Sequence, residues 1–231
     1  MERAGKKLSK IKYWQIISML MIWTLLVLYP NPMRLAQSIY RIGNPPVNPE
    51  GVLHLLEEAP FEPEELERFV LGEIPYQYDW VTFGVPWYFP TLEEALHNMT
   101  GDCKSRFVVL ASLFEARDIP YRMSFSLSHF WVVYEGKTET PMEQIQNAFL
   151  LREEDGSLSV QVPREDRNQI WNNFREGFWD YMPTHRKVML LSGFAVAAAL
   201  LILTKASRKK FNEETMAILP HYNDREGTDM V

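Results

Sequence analysis

Two side chains of this sequence have the types and settings for nucleophilic chemistry: Cys103, the chain's single cysteine, and His129. A thiol attacks acyl groups well only as thiolate, and a helix N-terminus favours negative charge through its aligned dipoles and unpaired N–H groups. Cys103 stands where a helix should begin, after Gly101 and Asp102. The same N–H groups could hold the oxyanion formed when a thiolate adds to a carbonyl carbon. His129 opens the strand after that helix, and a carboxylate returned beside it would fix the imidazole tautomer and complete a Cys/His/acid set. From the residues alone, a cysteine heading an apolar-faced helix also fits a small core residue. One cysteine cannot form an internal disulfide, so in an oxidising compartment Cys103 is a reactive thiol or an inert buried one.

The elements that must position these groups are legible in part. CKSRFVVLASLFEARD carries Cys103, Phe107, Leu110, Ala111 and Phe114 at the spacing of one buried helical face, with Asp102 as its cap. Ahead of it, TLEEALHNM has Thr91 at the N-cap and Glu94 three positions on, a capping box. Pro63 opens another helix, PEELERFVLG, with Glu64 and Glu65 in its first turn. Between these helices, EIPYQYDWVTFGVPWYFP reads as an aromatic loop packed on the domain face. MSFSLS alternates as a strand, and HFWVVYEGKTETP reads as a hairpin turning near Glu135 and Gly136. MEQIQNAFLLREEDGSLSVQVP predicts a short helix, an Asp155-Gly156 turn and a final strand. The stretch rich in proline and asparagine from Asn31 to Gly51 reads as a tether or irregular wrap. Ile170, Trp171, Phe174, Phe178 and Trp179 fall on one helical face, suited to packing on the domain or to resting at a bilayer surface.

GDCKSRFVVLASLFEARDIPYRMSFSLSHFWVVYEG resembles the core of the transglutaminase-like superfamily: a Gly-x-Cys helix start, a small and aliphatic helix, an Ile-Pro-aromatic-Arg strand and a His-x-Trp-Val strand. The resemblance covers roughly Thr91 to Glu143, about a quarter of the chain, with weaker echoes in IPYQYDW. It implies an α+β, papain-like fold in which the cysteine helix packs on an antiparallel sheet carrying the histidine and the acid. It also implies Cys103 as nucleophile and His129 as base. The family places an aspartate, often followed by proline, at the end of the second strand; here Glu139, two residues before Pro141, is the expected acid, with Glu143 second and Asp155 third. Hairpin register decides between the first two, since a one-residue slip turns a side chain to the opposite face.

Around this set, Trp80 and its aromatic neighbours could roof a cleft and bind substrate, or pack in the core. Trp131 follows His129 on the same strand face and should pack beneath it. Lys104 and Arg106 read as cations that meet solvent or carboxylates rather than substrate. One cysteine and five scattered histidines offer no metal-ligand spacing, and no cofactor motif is present.

At 231 residues there is room for one domain with membrane anchors, and the apolar residues are unevenly spread. Trp14 to Tyr29 and Val188 to Thr204 are uncharged apolar runs near the roughly 17-residue minimum for crossing a bilayer. Arg3, Lys6, Lys7, Lys10 and Lys12 before the first, and Lys205, Arg208, Lys209 and Lys210 after the second, predict two spans with both ends cytoplasmic. Arg186 and Lys187 work against that bias. No small-residue cleavage pattern follows the first run, which favours an uncleaved anchor. The expected organisation is a basic N-terminus (1–12), a span (13–29), an extracytoplasmic domain (30–187), a second span (188–204) and a cytoplasmic tail (205–231), in an integral protein of the plasma membrane.

A net charge of −6, with the basic clusters beside the apolar runs, argues against nucleic acid as a partner. The expected partners are the membrane and a protein or peptide substrate; oligomeric state leaves no mark in the sequence. The expected activity is cysteine-dependent acyl transfer on an amide through a thioester, ending in hydrolysis, deamidation or crosslinking. The alternative is a catalytically silent domain that binds peptides or scaffolds a membrane assembly.

Overall fold

The computed structural model describes residues 13–126, 129–152, 157–162 and 167–223. The lysines and arginine ahead of Tyr13, and Asp155 with its Gly156 turn, lie outside these residues. Two units are present, one built from α1 (Tyr13–Leu28) and α8 (Thr184–Asn223), the other from Asn31–Pro183.

In the first unit the two helices pack on each other. Trp23 Nε1 donates to the Met189 carbonyl at 3.0 Å. Gly193 lets them approach: a Cβ there would lie 2.2 Å from the Trp23 ring. The remaining helix surface stays apolar and exposed, including Trp14, Met19, Met21 and Ile22 on α1 and Val188, Leu191 and Phe194 on α8. Among the described residues, one helical stretch, Thr184–Lys209, is long and apolar enough to cross a membrane, with mean hydropathy 2.1. By itself α1 is 16 residues, roughly 24 Å at 1.5 Å per residue, against a hydrocarbon core of roughly 30 Å. The second apolar run belongs to a longer helix than its composition suggested, since α8 continues to Asn223 through the expected tail.

The second unit is α+β. In chain order it holds α2 (Met33–Gly43), a 3₁₀ turn at Glu50–Leu55, α3 (Pro63–Glu73), α4 (Asp79–Thr82), α5 (Leu92–Asn98) and α6 (Cys103–Ala116). The strands follow: β1 (Arg122–Phe125), β2 (Phe130–Val133), β3 (Leu150–Arg152) and β4 (Leu158–Val160), then α7 (Arg167–Phe174) and a π-helical turn at Arg175–Asp180. The sheet is antiparallel throughout, in the order β2-β1-β3-β4.

The helix that begins at Cys103 is the centre of this unit. Residues 107–114 are all buried, so α6 is covered on several sides and not on a single face. Leu66 and Val70 of α3, Leu92 and Ala95 of α5, Val52 of the 3₁₀ turn and Phe130 and Val132 of β2 join it in one core. Each such aliphatic or aromatic side chain contributes about 1.5–3 kcal/mol by leaving water. The expected capping box on α5 is present: Thr91 Oγ1 accepts from the Glu94 N–H at 3.2 Å, and Glu94 accepts from the Thr91 N–H at 2.8 Å.

Three local expectations differ. The stretch after Pro32 contains an amphipathic helix, α2, with Arg41 Nη1 reaching the Phe89 carbonyl at 2.6 Å. The hairpin lies one strand earlier than expected, pairing β1 with β2 so that Ser124 faces Trp131 and Phe125 faces Phe130. After β2 the chain turns at Gly136, whose φ of +81° lies in the left-handed region, and no strand follows before β3.

Candidate active site

The first turn of α6 holds the thiol. Asp102 caps it, with Oδ1 accepting the Lys104 N–H at 2.9 Å. Gly101 is needed just before, because a Cβ there would lie 2.1 Å from Ser105 Oγ. That bare backbone also pairs with the IPYQYDW segment: Gln77 N donates to the Gly101 carbonyl at 2.9 Å, and Gly101 N to the Pro75 carbonyl at 3.2 Å.

This pairing carries Asp79 beneath the helix start. Lys104, 3% exposed, sits 3.0 Å from Asp79 Oδ2 and also bonds Asp102 Oδ2. Asp79 Oδ2 further accepts the Tyr88 N–H at 2.7 Å, while its Oδ1 is buried with no hydrogen-bond partner among the described residues. Burial and the nearby Asp102 charge raise the Asp79 carboxyl to about 7, against the pull of Lys104 and the Tyr88 N–H. Burial works against the Lys104 charge, but the Asp102 and Asp79 carboxylates outweigh it and hold the ammonium above its ordinary range.

The other half of the site comes from the head of β2. Ser126 and His129 close the turn between β1 and β2 from both ends: His129 N donates to Ser126 Oγ at 3.0 Å and Ser126 N to the His129 carbonyl at 2.8 Å. This fixes the imidazole over Trp131, stacked at 5.8 Å with 14° between planes. His129 shares the cleft with the Cys103 side chain, and its Nε2 lies 3.2 Å from Glu143 Oε1. Burial pulls the ring toward the neutral form, but the bonds and charges of Cys103 and Glu143 prevail and raise it to about 10.

Glu143 is held in turn. Thr140 Oγ1 donates to its Oε2 at 3.1 Å, and the Lys137 ammonium lies 3.4 Å from the same oxygen. Burial pushes the Glu143 carboxyl up, but the His129 hydrogen bond and the Lys137 charge hold it below its ordinary value. Lys137, 5% exposed, also binds Glu67 of α3 at 2.6 Å, and Glu67 accepts the Tyr134 hydroxyl at 2.6 Å. A hydrogen-bonded and ionic chain therefore runs from α3 through the loop to the imidazole.

Of the residues expected at the site, Cys103 and His129 meet as expected, and Glu143 stands on the imidazole where Glu139 was the first choice. Glu139 is exposed and has no ion pair among the described residues. The preference for it follows the family's acid ahead of a proline at the end of a return strand; no such strand forms between Val133 and Leu150, so that position is not carried to the imidazole. The Thr140-x-x-Glu143 spacing, closed by a Glu143 N–H bond to the Thr140 carbonyl at 3.0 Å, was the available signal. Trp80 does not line the cleft: it is 3% exposed and donates Nε1 to the Phe178 carbonyl at 2.8 Å, so it serves the core. Lys104 meets carboxylates, as expected. Arg106 does not, and turns instead to the Ile74 carbonyl and the Tyr76 ring. Lys137, Glu67 and Asp79 were not foreseen, because each acts through a partner distant in sequence.

Cys103, His129, Trp131 and Glu143 line a cleft of about 260 Å³ between α3, α6 and β2, enough for a side chain and a short stretch of backbone. Cys103 itself is 8% exposed. No described group of three or more His, Cys, Asp or Glu side chains could hold a metal ion. Compared with protein-family models, with curated proteins and with solved structures, the chain matches none.

Proposed function

We propose that the second unit is a transglutaminase-like, papain-like domain that performs cysteine-dependent acyl transfer on a peptide or protein amide. The observation that carries this is the convergence of Cys103, His129 and Glu143 on one cleft, with His129 Nε2 3.2 Å from Glu143 Oε1. His129, raised to about 10 by Cys103 and Glu143, is consistent with this reading, since a thiolate nucleophile needs a cationic neighbour.

The steps follow from that pair. The Cys103 sulfur adds to the carbonyl carbon, and the oxyanion takes the backbone N–H of Cys103, which at the first helical position has no intrahelical acceptor. With Nε2 engaged by Glu143, Nδ1 is the nitrogen left to serve the sulfur. The imidazolium passes its proton to the leaving nitrogen, the C–N bond breaks and a thioester remains. Neutral His129 then takes a proton from water or an amine as its oxygen or nitrogen joins the acyl carbon and the C–S bond breaks. Hydrolysis, deamidation and crosslinking differ only in that acceptor.

The domain is proposed to lie outside the cytoplasmic face of the plasma membrane, with α1 and α8 as two anchors. The apolar exposure of both helices supports this, since in water such surface would be covered.

The test is labelling with a thiol-directed activity probe. Wild type should react at least roughly tenfold faster than denatured protein, with labelling abolished in Cys103→Ala and slowed at least roughly tenfold in His129→Ala. Equal rates for native and denatured chain would sink the proposal. The low exposure of Cys103 favours a second reading, a silent peptide-binding domain; in that case native labelling falls below that of the denatured chain.

A further inference from the structure

Among the described residues, the charged groups around the cleft are matched with one exception. Glu64 pairs with Arg68 at 3.3 Å, Glu67 and Glu143 share Lys137, and Glu143 also holds His129. Arg106 is the exception. It lines the cleft three residues after Cys103, so the two side chains rise from one helical face with Cβ atoms roughly 5–6 Å apart. Its Nε is bound to the Ile74 carbonyl at 2.9 Å, and its guanidinium lies 5.3 Å from the Tyr76 ring centroid. These contacts fix its direction without neutralising it, and no carboxylate lies within 4.0 Å among the described residues. Burial works against its charge and holds the guanidinium below its ordinary range, a cost that an anion in the cleft would relieve.

We infer that Arg106 forms a carboxylate subsite and that the acyl substrate carries an acidic group one or two residues from the carbonyl that Cys103 attacks. The span follows from the side-chain separation and a rise of roughly 3.3–3.6 Å per extended residue. A planar guanidinium with its Nε already engaged offers its outer N–H pair to a carboxylate in bidentate geometry. This rests on the acyl-transfer reading and adds the substrate class to it.

Because Cys103 is the only cysteine, alkylation of the full-length protein in detergent reports on one atom. The measurement is the ratio of iodoacetate to iodoacetamide rates, in which any general change in thiol reactivity cancels. The expected result is a fall of roughly tenfold in Arg106→Gln, the loss of one charge-assisted contact, with the ratio largely kept in Arg106→Lys. An unchanged ratio in Arg106→Gln, with native Cys103 still reacting faster than denatured chain, overturns the subsite alone. Native Cys103 no faster than denatured chain overturns the acyl-transfer reading and the subsite with it. Wild type provides a second measurement that needs no variant to fold, using two peptide vinyl sulfones that differ by Glu or Gln one residue from the warhead. Faster labelling by the Glu peptide supports the subsite, and equal labelling overturns it.

Discussion

Two carboxylate–lysine–carboxylate groups flank the thiol, and they do different things. Asp79, Lys104 and Asp102 meet beneath the first turn of α6; Glu67, Lys137 and Glu143 meet at the sheet side of the cleft. Both lysines are almost fully covered, at 3% and 5% side-chain exposure. In the first group each carboxylate also accepts a backbone N–H, Asp102 from Lys104 beside Cys103 and Asp79 from Tyr88. In the second, the outermost carboxylate lies on the imidazole. The same ionic motif therefore holds a helix terminus in one case and sets the charge of a histidine in the other. What separates them is the neighbour at the end of the chain.

Removing each lysine separates the two roles most widely. Lys104→Met should destabilise the unit by about 3–5 kcal/mol, because it leaves Asp79 and Asp102 buried and facing each other. Lys137→Met should cost about 1–2 kcal/mol, since Glu67 keeps the Tyr134 hydroxyl and Glu143 keeps Thr140 and His129. Denaturant unfolding of both variants measures the gap; equal losses would erase the distinction.

The next comparison is between two glutamates four residues apart. Glu143→Gln should slow probe labelling of Cys103 roughly tenfold, through loss of the charge that holds the imidazolium, while Glu139→Gln should stay within roughly twofold. The pH dependence follows from what raises the imidazole, Cys103 first and Glu143 second. The folded His129 titrates near 10 against an ordinary 6.5. Its stabilising share is thus complete below about pH 6.5 and is lost as pH rises toward about 10. A wild-type melting temperature that falls over that window, with a flatter profile in Glu143→Gln, is the expected pattern. Parallel profiles would mean that Glu143 does not hold the imidazolium.

The glutamate pair also marks where sequence stops being informative. Cys103, its Asp102 cap and the Thr91–Glu94 box are legible because each depends on residues within a few positions of one another. Apolar spacing locates α6, yet it underestimates the burial, because α3, α5 and β2 arrive from separate stretches of chain. Glu139 is favoured in the sequence by its place ahead of Pro141 at the end of an expected second strand, but the backbone leaves the strand at Gly136 and brings Glu143 to the imidazole instead. Lys137 and Asp79 are harder still: Glu67 lies on α3, and Lys104 meets Asp79 only through the pairing of Gly101 with Pro75 and Gln77. Local chemistry is written locally, whereas these ionic partners are brought together only by the fold.

The smallest expected effect is also the sharpest on chemistry, since Asp79→Asn makes the same carboxyl-to-amide change as Glu143→Gln. The amide oxygen can keep the Tyr88 N–H, and Lys104 retains Asp102, so few bonds are lost and the small effect is the one on labelling. Labelling of Cys103 should be nearly unaffected, because no bond joins Asp79 to the imidazole. The sign with pH is opposite to that of His129's partner. The Asp79 carboxyl, raised from 3.8 to about 7, is a group whose ionised form the fold disfavours, so wild type bears a penalty that grows as pH rises through that interval. The Asn variant lacks this penalty and should gain on wild type from about pH 4 to 7, with a constant difference below that range. A variant that instead loses labelling as Glu143→Gln does would mean that the two ionic groups act on the thiol together.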